Sequence, residues 1–133
     1  MFDCREAYDG FIAEFAACRV PKERWTHHAH LAVGLWYLER LGFEDALAAV
    51  RTASVGLANT DSSGYHETLT RLYLRVIVAH RARHRELALP EALRQLLASP
   101  LADSQWPLTY YSRGLLFSAT ARRAWVEPDL QAL

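Results

Sequence analysis

Apolar positions recur along the chain with a period near 3.6, and that spacing divides it into helices. Over residues 3–18, Tyr8, Phe11, Ile12 and Phe15 fall on one face. The segment stops before Val20-Pro21, because a residue ahead of proline avoids the helical region. Thr26 is a good N-cap for a second helix that runs to about Leu41 and ends at Gly42. A third covers residues 43–57 and turns Leu47 and Val50 toward the core. Asn59-Thr60-Asp61-Ser62-Ser63-Gly64 is dense in turn and capping residues and makes the longest break between helices. A long fourth helix over residues 64–87 follows, with Leu69, Leu72, Tyr73, Val76, Ile77 and His80 along one stripe. Pro90 suits the first turn of a short fifth helix to about Ala98, which Pro100 helps to close. Beyond Asp103 the pattern weakens; Ser112 and Ser118 read as caps of short helices over 113–117 and 119–125, and Pro128 ends the order. No stretch alternates with period two for long enough to make a strand. The pattern predicts an all-α fold, a compact single-domain bundle of five to six helices over residues 1–133.

Composition supports that picture and narrows the partners. A chain of 133 residues that is 51% hydrophobic and 23% charged can bury a core without disulfides or a structural metal. Fifteen basic and fifteen acidic side chains cancel, so no global field recruits nucleic acid or an anionic membrane. The arginines toward the end of the fourth helix, with His84, are explained by the helix dipole and a solvated face. The first residues carry charges where a signal peptide needs an apolar core, and no run approaches the roughly 18 apolar residues of a membrane span, which points to a cytoplasmic protein. Cys4 and Cys18 on one helix would lie about 21 Å apart, too far to bridge, and read as ordinary thiols. A homodimer through an apolar helix face is compatible with this size.

Candidate chemistry is concentrated at two helix starts. Trp25-Thr26-His27-His28-Ala29-His30-Leu31 holds three of the six histidines. At about 100° per residue His27 and His30 lie about 60° apart on the line continued by Leu31, Leu35 and Leu38, whereas His28 falls on the flank with Ala32 and Glu39. His27 and His30 are thus expected to look inward and His28 to stand aside. The positive end of the helix dipole should keep both inward rings neutral, the form that binds metal or accepts a proton. The second start, Gly64-Tyr65-His66-Glu67-Thr68-Leu69-Thr70, turns His66 inward with Glu67 at the edge of the stripe. Inward histidines can equally be polar core residues bonded to backbone carbonyls, and Glu67 a first-turn acid facing the dipole. Asn59, Thr60, Asp61 and Ser62 could orient a ligand before His66, although capping and turn duty explains them; Trp106, Tyr110 and Tyr111 could wall a pocket or simply pack.

Together, His27, His30 and His66 offer three nitrogen ligands for a divalent metal ion, with Glu67 as the catalytic base or a fourth ligand. Three protein ligands and an open position is the arrangement of catalytic zinc, whose bound water becomes a hydroxide nucleophile. The His66-Glu67 step resembles the first half of the zincin metalloprotease motif, but Thr70 stands where its second histidine belongs, which excludes assigning a protease. Two histidines with Glu67 would also make the facial triad of a non-haem iron site.

The segments at 25–31 and 64–70 resemble those of a group of small bacterial helical proteins that share Trp-Thr-His-x-Ala-His-Leu and Gly-Tyr-His-Glu-Thr-Leu-Thr. A tail like Tyr110-Tyr111-Ser112 through Trp125-Val126-Glu127-Pro128-Asp129-Leu130 belongs to the same pattern. The resemblance spans most of the chain and carries no activity with it. The leading expectation is therefore a metal-dependent enzyme acting on a small molecule, with zinc hydrolysis ahead of iron, copper or nickel chemistry. Its rivals are a ligand-binding or interaction module with a structural histidine cluster, and a metal-free enzyme using His66 and Glu67 as an acid and base pair.

Overall fold

A computed structural model describes residues 2, 4–58 and 65–133. Among these residues there are seven α-helices and no strand: α1 (Arg5–Ala16), α2 (His27–Arg40), α3 (Phe43–Ala58), α4 (Glu67–Arg83), α5 (Leu89–Leu97), α6 (Arg113–Leu116) and α7 (Ala119–Arg123). The five longer ones are the predicted bundle, and the two short ones are the Ser112- and Ser118-capped turns expected from the sequence. None of the described helices is long and apolar enough to cross a membrane.

The central element is α2, packed against α1, α3, α4 and α5. Its middle, Leu31 to Leu35, is buried at every position, so it is apolar all round where a surface helix would show one stripe. Gly34 lets α4 approach: a Cβ there would meet Ile77 Cδ1 at 3.1 Å and Leu74 Cδ2 at 3.3 Å. Thr26 caps α2 as expected, its hydroxyl accepting from the Ala29 N–H at 3.2 Å. The Tyr8 hydroxyl donates to the Ala32 carbonyl and the Trp36 indole to Asp9 at 2.9 Å, fastening α1 to α2.

A second core forms on the outer face of α4, where Leu72 meets Tyr111 and Leu116. Here the expected end of order at Pro128 is corrected. Asp129 accepts from the Ser112 N–H and hydroxyl at 2.7 and 2.6 Å, the Leu130 N–H donates to the Tyr110 carbonyl at 2.9 Å, and the Tyr111 hydroxyl donates to the Val126 carbonyl at 2.7 Å. These bonds join residues 15 to 20 apart, so helical periodicity has no means of showing them.

Several boundaries also move. Periodicity placed the start of α4 at 64, but His66 has an extended backbone and is the N-cap; the helix ends at Arg83, four residues before the predicted end, with His84 as C-cap. Short 3-10 turns at Lys22–Arg24, Pro100–Ala102 and Trp106–Thr109 were not predicted, being too brief to leave a period. The first helix closes at Ala16, and Cys18 takes a left-handed φ of 56° while the Arg19 N–H reaches back to the Glu14 carbonyl at 2.8 Å. That geometry favours glycine. Cys18→Gly is expected to stabilise the protein by about 0.5–1 kcal/mol, read as a higher urea midpoint; an unchanged midpoint would mean that the contact of Cys18 Sγ with the Ala53 carbonyl, at 3.8 Å, offsets the relief.

Candidate functional site

The second of the two helix starts is built into the backbone. His66, 9% exposed, caps α4: its Nδ1 accepts from the Leu69 N–H at 3.1 Å, a duty usually given to Ser, Thr, Asp or Asn. Its other nitrogen lies 2.6 Å from the Leu116 carbonyl at the end of α6. A carbonyl accepts only, so the proton sits on Nε2 and the Nδ1 lone pair faces a backbone donor; the neutral tautomer is thereby fixed. Burial, foremost, pushes the His66 pKa down, and the positive charge of Arg122 adds to it. Both nitrogens are thus committed to protein partners. The expected inward direction of His66 is found, but the expected metal-ligand role has no lone pair available to it in this arrangement.

Glu67 is likewise saturated. It is 6% exposed; Oε1 accepts from Arg51 Nε at 3.1 Å and the Tyr65 hydroxyl at 2.8 Å, and Oε2 from Arg51 Nη2 at 2.8 Å and Arg71 Nε at 2.6 Å. Burial alone would raise its pKa, but the donors from Arg51, Arg71 and Tyr65 outweigh it and hold the carboxyl at about 2. A carboxylate so acidic is a poor proton acceptor at neutral pH. The Arg71 contact, four residues on, was open to a helical-spacing argument. Arg51 comes from α3, and only the fold delivers it. Next in line, the Thr68 hydroxyl donates to the Ala124 carbonyl at 2.9 Å and accepts from the Val126 N–H at 3.3 Å. His66, Glu67 and Thr68 thus bind α4 to α3 and to the last twenty residues of the chain.

The first helix start goes elsewhere. His27 is half-buried, and its Nε2 lies 2.9 Å from the Leu101 carbonyl, with its ring 5.0 Å from that of Tyr73. His30 was expected to look inward; instead it keeps an exposed surface and stands edge-on against Trp25 at 4.1 Å, the indole covering it from the preceding turn. Crowding by its surroundings, and secondarily the neighbouring His27, hold the His30 pKa below the ordinary histidine value. His28 is exposed, as the wheel suggested. The expected convergence of His27, His30 and His66 is therefore not found: no three His, Cys, Asp or Glu side chains come together as a metal site among the described residues. Asn59, Thr60, Asp61 and Ser62 lie outside those residues.

A different place holds side chains with capacity left over. A half-open cleft of about 450 Å³ lies between the C-terminal half of α4 and residues 99–106. The α4 side carries Val76, His80, Arg83 and His84, the other Pro100, Leu101 and Trp106. The His80 and His84 rings, one turn apart, have centroids 4.7 Å from each other. Burial, then His84 and Arg83, lower the His80 pKa. A helix C-terminus would normally oppose an anion. Here the His84 N–H donates to the Arg81 carbonyl at 3.0 Å, and Arg81 binds the carbonyls of His84 and Leu87, just past the helix, at 2.9 Å each, while its other nitrogens bind Glu39 at 2.7 and 3.2 Å. Beside the cleft wall, the Tyr73 hydroxyl is buried without a hydrogen-bond partner among the described residues, its ring 6.2 Å from Trp106. In the sequence His80 reads as part of a stripe, Arg83 and His84 as a solvated face, and Trp106 as a pocket wall or simple packing; the i,i+4 spacing of His80 and His84 is the signal that joins them.

Comparison of the chain with protein-family models, with curated proteins and with solved structures gives no match.

Proposed function

We propose that the chain is a non-enzymatic ligand-binding module, in which the His66-Glu67 cluster is a structural fastening and the ligand site is the cleft at the end of α4. One observation supports this above the rest: both nitrogens of His66 and both oxygens of Glu67 are fully engaged by protein donors and acceptors. A metal-dependent enzyme built on His27, His30 and His66 would have to break the N-cap of α4 or the bond to Leu116 before its third ligand was available. A metal-free acid and base pair would require a proton to reside on a carboxyl held at a pKa of about 2.

The test is elemental analysis of protein purified without added metal, followed by thermal melts with zinc, iron, copper and nickel. The expected result is far less than one equivalent of metal, and melting temperatures that do not rise with any of the four. Stoichiometric metal that is lost in His66→Gln but kept in Glu67→Gln would overturn the reading and restore the hydrolase.

A further inference from the structure

We propose that the cleft takes a small molecule made of a flat apolar body and a terminal anionic group, carboxylate or phosphate, with the anion on His80, Arg83 and His84 and the body against Trp106, Leu101 and Pro100. This rests on the reading of the cleft as the ligand site. Three nitrogen-bearing side chains line one side of it and no carboxylate lines any part of it. Neither imidazole makes a hydrogen bond, and Arg83 pairs with no acid, among the described residues. The two rings have centroids 4.7 Å apart beside a guanidinium, and an anion reached by a nitrogen of each would accept charge-assisted hydrogen bonds from them. A divalent cation at the same pair would face the charge of Arg83 at close range. The opposite wall supplies what an anion alone does not need, an indole and aliphatic surface.

The groups facing the His80 ring are His84 and Arg83 of α4. The Pro100–Ala102 turn brings no charged side chain, Asp103 after it acts on Tyr73 and is absent from the charges acting on His80, and Glu39 of α2 is held by Arg81. Binding an anion therefore favours the protonated His80 ring, and affinity should increase as pH falls from 8 to 6.

The full-length protein is titrated with 2-naphthoate, 2-naphthylmethanol and inorganic phosphate, following the Trp106 indole and the His80 and His84 ring signals by NMR. Naphthoate is expected to bind at least about tenfold more tightly than either other probe, to weaken about tenfold in Arg83→Gln and in the His80→Gln, His84→Gln double variant, and to bind more tightly at pH 6 than at pH 8. If those variants fail to fold, the wild-type comparison of the three probes and the pH dependence decide alone. Equal affinity for the alcohol and the acid would overturn the anion assignment and leave the cleft as the ligand site. Phosphate binding as tightly as naphthoate would overturn the apolar half. Silence of Trp106, His80 and His84 toward all three probes would overturn this inference and the ligand-site reading together.

Discussion

Replacing Glu67 with alanine is expected to destabilise the protein by roughly 2–4 kcal/mol. The carboxylate accepts four hydrogen bonds from three side chains and is itself almost wholly buried. Its removal leaves two guanidinium groups together without an anion. Arg51 and Arg71 retain 43% and 32% of their side-chain exposure, so water compensates them in part, which places the cost below that of a fully buried pair. Glu67→Gln keeps the shape and some acceptors and should cost about half as much. The sign of the pH dependence follows from the depressed pKa. The folded carboxyl titrates near 2, below its ordinary 4.5, so its stabilisation is complete above about pH 5 and fades as pH falls toward 2. Urea unfolding of the wild type at pH 7 and pH 3 should show a loss that Glu67→Gln largely lacks. Equal losses in both proteins would contradict the fastening role.

The second large effect is at His66. His66→Ala removes a helix cap, worth about 1 kcal/mol, and leaves the Leu116 carbonyl without its donor, worth about 1–3 kcal/mol. A total of roughly 2–4 kcal/mol is expected. His66→Asn can restore the cap without reaching Leu116, and so should recover about 1 kcal/mol of it. The pH dependence is again one of loss on acidification. The folded pKa lies below the ordinary 6.5, because the buried ring is neutral and its Nδ1 must accept; the contribution is complete above about pH 7 and declines as pH falls below 6.5 toward the lowered value. Loss of amide protection in α6 and α7 of His66→Ala, followed by hydrogen exchange, locates the damage where the Leu116 bond places it.

Much of the bundle was legible because its helices bury one side. Tyr8, Phe11, Ile12 and Phe15 at helical spacing are all buried, and Thr26 and the two late serines cap where their chemistry says they should. His66 is buried as expected, but as the extended N-cap it stands outside the helix on which the wheel was drawn, so its burial comes from its bonds to Leu69 and Leu116 and not from the stripe. The wheel failed for His30, which keeps an exposed surface and stands against Trp25 at the rim of the main core. It could not assign roles either. The identity of the partner decides whether an inward histidine is a ligand or a cap, and the partners here are the Leu69 N–H and the Leu116 carbonyl, the latter 50 residues away. Glu67 shows the same limit: a first-turn acid beside a dipole was visible, whereas the arginine from α3 that makes it a buried ion pair was not. The cleft was missed for a related reason. Its two walls come from α4 and from turns too short to leave a period, so no single stretch of sequence contains it.

If the histidine and glutamate cluster fastens the fold and leaves metal chemistry without a third ligand, the nitrogen spectrum of the His66 ring shows it. With uniformly ¹⁵N-labelled protein near pH 7, the expected spectrum is that of the neutral tautomer with the proton on Nε2 and a bare Nδ1 shifted by its hydrogen bond from Leu69, unchanged on adding one equivalent of zinc. A His66 ring nitrogen that moves to a metal-bound shift with zinc would contradict it.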